Sequence, residues 1–192
     1  MNKHVSAATP TGSALRRSRL RSLRGRAAAA TATVALATAG ALAAGATSAH
    51  AASGFTIHLS PNSSFGLLLD MAGGSTSSGG GLIQWYANGG NNQNWTFIPV
   101  AGSENYMIQN ANSGLCLTTD GVAGDQIVQF PCAGGINQIW HTPVTPWLVG
   151  AGTIMNPWSG LYMDVYGDSP WAGAGIDAYY YNGGANQFFG AL

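Results

Sequence analysis

Apolar positions in this chain come in short runs rather than long stripes. Gly66 to Met71, Leu115 to Thr119, Ile127 to Phe130 and Ile176 to Tyr181 are set apart by Gly, Asn, Ser and Pro. No sustained recurrence every three to four residues, the mark of an amphipathic helix, runs between them. Short strands punctuated by turn residues predict an all-β domain. The polar positions carry a second order. Asn92-Gln93-Asn94-Trp95, Asn137-Gln138-Ile139-Trp140 and Asn186-Gln187-Phe188-Phe189 each follow a Gly-Gly pair, and each has an earlier aromatic, Trp85, Phe130 or Tyr179, ten residues before its last. Self-similarity at one period sets the architecture before any single residue is read. Three units of about 45 residues can close around a pseudo-threefold axis, each giving strands to a barrel and a hairpin to a cap. A propeller of four-stranded blades has the same period, but three blades fall below the usual minimum of four.

Charge divides the chain. All seven Lys and Arg lie between Lys3 and Arg26, and all seven Asp and Glu lie after residue 51. The basic stretch runs into a weakly apolar Ala/Thr/Gly/Val segment that ends at Ala49-His50-Ala51. Basic region, apolar region and small-x-small site predict a secretory signal peptide over 1–51 and a secreted, extracellular mature chain. Arg16-Arg17 raises the twin-arginine route, although Arg19 stands where that signal wants a hydrophobic residue. The mature part, 52–192, is then a single acidic domain without Lys or Arg, which excludes nucleic acid as a partner because phosphates are neutralised by those residues. No membrane insertion of the mature form is expected.

Cys116 and Cys132 fall within one unit, and in an exported chain they are expected to form a disulfide. Cys116 lies two residues after Gly114 and Cys132 eight before Trp140. The same offsets give Leu68 and Ala87 in the first unit, Tyr162 and Tyr181 in the third. One spatial position is thus filled by three chemistries.

Gly66-Leu67-Leu68-Leu69-Asp70, Gly114-Leu115-Cys116-Leu117 and Gly160-Leu161-Tyr162-Met163-Asp164-Val165, each followed by an aromatic, a Gly-Gly and Asn-Gln-x-aromatic, resemble the ricin-type β-trefoil lectins with their Gln-x-Trp motif. The resemblance covers 52–192 and implies a β-trefoil with repeats at about 52–98, 99–144 and 145–192. A neutral sugar offers a ring of hydroxyls and one face of C–H groups, so its binder needs a flat aromatic and fixed hydrogen-bonding groups. The resemblance implies two complete pockets, one from Asp70, Trp85, Asn92 and Gln93, the other from Asp164, Tyr179, Asn186 and Gln187. The second repeat departs from the pattern. Thr118 stands in place of the Asp beside Phe130, Asn137 and Gln138, and a hydroxyl is a poorer acceptor than a carboxylate, so a weak or silent pocket is expected there. Of Ile83, Val128 and Asp177, two residues before each stacking aromatic, only Asp177 offers a contact. Trp95, Trp140 and Phe189 are expected in the core.

Catalytic constellations fail. Glycosidase chemistry needs two carboxylates about 5 to 10 Å apart, and Asp70 and Asp164 belong to units separated by the threefold axis. His58 and His141 have no paired Ser or Cys motif, and Asp120 to Asp125 lacks the ligand spacing of a calcium loop. No metal and no cofactor is expected. The reading is a secreted, non-catalytic lectin for neutral oligo- or polysaccharides, galactose-type or xylan- and arabinose-containing, acting beside a separately encoded glycan-degrading enzyme. The alternative keeps the trefoil as a protease inhibitor or protein-interaction module, using Pro143 to Trp158 as a protruding loop.

Overall fold

The first repeat contributes β1 (Phe55–Ile57), β2 (Leu59–Pro61), β3 (Leu67–Met71), β4 (Leu82–Tyr86) and β5 (Trp95–Pro99). The second contributes β6 (Asn105–Asn110), β7 (Cys116–Thr118), β8 (Val128–Phe130) and β9 (Trp140–His141). The third contributes β10 (Ala151–Gly152), β11 (Met155–Asn156), β12 (Leu161–Val165), β13 (Ile176–Tyr179) and β14 (Phe189–Ala191). The computed structural model describes residues 55–64, 66–144 and 150–192, all within the unit Thr47–Leu192, and among them no α-helix occurs. The leader read over 1–51 lies outside the described residues.

Antiparallel pairing runs β1 to β5, β5 to β6, β6 to β9 and β9 to β11. It continues from β10 to β14 and from β14 to β2. Because β1 and β2 are separated only by His58, and β10 and β11 by two residues, the ring closes on itself. Closure removes the free sheet edges that otherwise invite aggregation. Three hairpins, β3–β4, β7–β8 and β12–β13, stand on this ring and form the cap. Single bridges join them around the axis: Gly81 to Val128, Gln126 to Asp177 and Gly175 to Ile83. The fold is a β-trefoil.

The barrel interior is filled in threes. Trp95, Trp140 and Phe189 are completely buried, as are Leu69, Leu117 and Met163 at one matching position on the three hairpins. The indole N–H of Trp95 donates to the Leu69 carbonyl and that of Trp140 to the Leu117 carbonyl, each at 3.1 Å. Ring burial is thereby combined with a satisfied polar edge. Near the axis the symmetry breaks, because there is room for one side chain only. Gln126 occupies it and donates to the Leu82 carbonyl at 2.8 Å, whereas the matching residues are Gly81 and Gly175. A Cβ on Gly81 would lie 2.8 Å from the Gln126 amide.

Cys116 and Cys132 form the expected disulfide, with Cα atoms 5.0 Å apart. Its counterpart in the third repeat is a ring contact, Tyr162 against Tyr181 at 5.0 Å. The Pro143 to Trp158 segment is not a free loop where it is described: β10 and β11 join the barrel, Ile154 is buried, and Gly152 packs closely on Pro143 and Val144. Residues 145–149 lie outside the described residues.

Candidate functional site

The same three parts build a concavity on each hairpin: a residue on its first strand, an aromatic on its second, and the 3-10 turn that follows. In the first repeat, Asp70 pairs with Ile83 across the ladder and Leu68 with Trp85, so all four side chains share one face. The 3-10 turn Asn91–Gln93 then returns beneath them. Its geometry explains the Gly-Gly pair. Gly89 takes φ +71°, and a Cβ on Gly90 would strike the Asn92 side-chain oxygen. Asp70 Oδ2 accepts from Gln93 Nε2 and Asn92 Nδ2, both at 2.7 Å, and from Asn88 Nδ2 at 3.2 Å. All of these bonds fall on one oxygen, which leaves Oδ1 to accept from a ligand. Burial raises the Asp70 pKa above its ordinary value, against the lowering effect of the three amides. Trp85 stands 41% exposed beside a cavity of about 330 Å³, with the Tyr86 ring edge-on to it at 6.0 Å.

The third repeat reproduces this arrangement. Asn186 Nδ2 donates to Asp164 Oδ1 at 2.8 Å and Asn182 Nδ2 to Oδ2 at 3.2 Å. Tyr179, 44% exposed, has Tyr180 edge-on at 5.7 Å. The cavity is larger, about 570 Å³, and is lined also by Asp177, Asp168 and Gly124 of the neighbouring repeat. Burial raises the Asp164 pKa, and the nearby Asp168 charge adds to the rise, against the Gln187, Asn186 and Asn182 amides.

The second repeat keeps the shape and Asn137 but loses the carboxylate and the Asn before the Gly-Gly pair. Phe130 is 42% exposed over a cavity of about 450 Å³. Thr118 spends its hydroxyl within the fold, donating to the Cys116 carbonyl and accepting from Gln138 Nε2, each at 3.0 Å. Ala133 stands where the other repeats have Asn88 and Asn182. Asp120 lines this cavity too, with its Oδ1 accepting from the Val122 N–H of its own loop at 2.9 Å.

Two sets of residues depart from the expectation. Gln93, Gln138 and Gln187, expected in the pockets, are at most 4% exposed. Each places its Oε1 on a backbone N–H, of Asn88, Ala133 or Asn182, and its Nε2 on a carbonyl, of Tyr86, Pro131 or Tyr180. They shape the loop, and Gln93 and Gln138 also hold the residue above, Asp70 and Thr118; of the three, Gln138 lines a cavity. Asn88 and Asn182, by contrast, orient the carboxylates and were missed. The signal was present as Asn-Gly-Gly, found in the first and third repeats but Ala-Gly-Gly in the second. The edge-on supports Tyr86 and Tyr180 were also legible as aromatic pairs, and Pro131 replaces them in the second repeat.

With three equivalent concavities on a trefoil, the comparisons with known proteins agree. The family model described as ricin-type beta-trefoil lectin domain-like matches residues 47–123 and 91–179, and the chain belongs to that family. Among solved structures, ThreeFoil, a designed threefold-symmetric protein, is 31% identical with a TM-score of 0.65, over 71% of this chain and 97% of that one. An exo-β-1,3-galactanase from Clostridium thermocellum is 27% identical at a TM-score of 0.64, over 73% of this chain but only 30% of the enzyme. The Macrolepiota procera ricin B-like lectin, solved with lactose, is 22% identical at a TM-score of 0.59, over 72% of this chain and 95% of the lectin, a likeness of fold. A search of curated proteins finds no match.

Proposed function

We propose that this protein is an exported, non-catalytic lectin that binds neutral sugars through the pockets of its first and third repeats. The observation that carries the reading is that Asp70 and Asp164 are each held by a pair of Asn amides below an exposed aromatic ring. A held carboxylate accepts from sugar hydroxyls in charge-assisted hydrogen bonds, and the ring covers the C–H face. Membership of the lectin-like family supports a carbohydrate ligand, and the likeness to part of a galactanase favours a galactose-containing one. Each pocket is shallow, so an affinity near millimolar, about 4 kcal/mol, is expected for a single sugar. Two pockets on one body raise retention on a polymer much further. Such a protein acts beside a separately encoded glycan-degrading enzyme.

A glycan array probed with the full chain and with the Asp70→Asn/Asp164→Asn double variant tests this. At Asp70, Asn retains an oxygen for the structural amides and turns an N–H₂ toward the ligand in place of the free acceptor; at Asp164, where each oxygen takes one Asn amide, it also sets an N–H₂ against a donor. Binding by the wild type that the double variant loses supports the lectin reading. Silence from both, with capture of a protein partner, would replace it by the interaction-module reading. Terminal sequencing of protein from the culture medium tests export and the expected start at Ala52.

A further inference from the structure

One position separates the two polar pockets. Asp177 on β13 lies directly opposite Asp164 on β12, where Ile83 faces Asp70 in the first repeat and Val128 faces Thr118 in the second. It is 4% exposed, it lines the third cavity, and its Oδ1 has no hydrogen-bond partner. A buried acceptor without a donor is costly, and a second carboxylate across the ladder adds repulsion. Burial first, then the Asp164 charge, raises the Asp177 pKa to about 6, against its own backbone N–H. At neutral pH the Asp177 carboxyl is therefore largely ionised, beside a second carboxyl across the ladder.

Among the described residues no Lys or Arg offsets them. Asp164 and Asp168 share the cavity from β12 and the turn after it, and the bridge to Gln126 brings Asp125 alongside β13, with Asp120 beside Asp125 but lining the second repeat's cavity. Tyr166 and Tyr179 also line the cavity. Every Lys and Arg of the chain precedes residue 27. His141 is engaged with Asn105 at the barrel. Among the described residues no three His, Cys, Asp or Glu are grouped to hold a metal ion. An ammonium group supplies what the pair lacks, a positive charge together with several N–H donors.

Resting on the sugar-binding reading, we infer that the third pocket prefers a sugar bearing a free amino group, its ammonium held by Asp177 and Asp164, whereas the first pocket does not discriminate. Ile83 supplies no charge at the corresponding place.

Titration of the ¹⁵N-labelled full chain separates the pockets, because the Trp85 indole N–H reports the first and the Asn182 and Asn186 side-chain amides report the third. The probes are galactosamine and glucosamine, each beside its N-acetylated form and its neutral parent. At pH 7.5 the amines should bind the third pocket about tenfold or more tighter than the N-acetylated forms. The first pocket should show no such preference. Asp177→Asn and Asp177→Ile, the second copying the first repeat, should both remove it, and lowering the pH to 5 should weaken it in the wild type. Equal binding of amine and N-acetylated sugar at the third pocket, or a preference that survives in both variants, overturns the inference. So does a preference abolished by EDTA, which would point to a metal ion. If neutral sugars bind and amines gain nothing, this inference alone fails. If no sugar moves either set of signals, the lectin reading fails with it.

Discussion

The first and third repeats build one pocket twice and differ most at the residue facing the carboxylate. In the first, Asp70 looks across the ladder at Ile83, and its structural amides converge on one oxygen. In the third, Asp164 looks at Asp177, and Asn186 and Asn182 occupy separate oxygens. The neighbouring loop is secured differently as well. Gln84 reaches across to the Ser169 and Trp171 carbonyls at 2.7 and 2.8 Å, and Gln129 likewise to Ser75 and Ser77. Ala178 occupies that place in the third repeat, so the loop beside its pocket is held there by backbone bonds, Gly124 to Ala178 and Ala178 to Asp125. A threefold frame thus tolerates local divergence, because each hairpin carries its own pocket residues while the barrel below is shared.

The largest effect should come from the second repeat, which lacks the carboxylate of the other two. Replacing Cys116 and Cys132 with Ala frees a loop whose ends are 16 residues apart, and unfolding in denaturant should lose about 3 kcal/mol. The first repeat holds the same place with Leu68 and Ala87, so a much smaller loss would show that hairpin packing alone suffices.

Next in size is the acid pair. A carboxyl at about 6 in the fold and 3.8 in the unfolded chain binds its proton more tightly when folded. Stability therefore falls as pH rises from about 4 to 6. Asp177→Asn cannot ionise, so it should be more stable than the wild type at pH 7 by roughly 2 to 3 kcal/mol and nearly equal to it below pH 4. Thermal unfolding across that range checks both the size and the sign. Ile83→Asp should install the same pH dependence in the first repeat.

The smallest effect concerns the ring supports. Tyr86→Ala removes the edge-on partner of Trp85, a contact of about 0.5 to 1.5 kcal/mol, and should weaken the first pocket severalfold while the third is unchanged. Sugar titration with the Trp85 indole and Asn182 signals followed together checks it.

Much of this was legible because the relevant relationships are local. The β3–β4 hairpin pairs Leu68 with Trp85 and Asp70 with Ile83, and the turn after it carries Asn92, so a repeated spacing was enough to mark Asp70, Trp85 and Asn92 together with their counterparts. Trp95, Trp140 and Phe189 declared themselves as core by size and recurrence. The loop-shaping bonds of the glutamines were not legible, because polarity and proximity to the Asn point to the pocket while the 3-10 turn sends both ends of each amide to the backbone. Asn88 and Asn182 drew no reading from the sequence, although Ala133 replaces them in the second repeat.

The sequence by itself determined the all-β class, the three units, their core aromatics and the disulfide, because each follows from short-range spacing or its recurrence along the chain. Only the tertiary structure decided what happens between repeats. Gln126 fills the axis, neighbouring loops are tied to each hairpin, and Asp177 is buried opposite another carboxylate without a partner. The cause is physical: burial and charge at a site depend on every element packed around it, and here those elements come from repeats that sequence spacing cannot bring together.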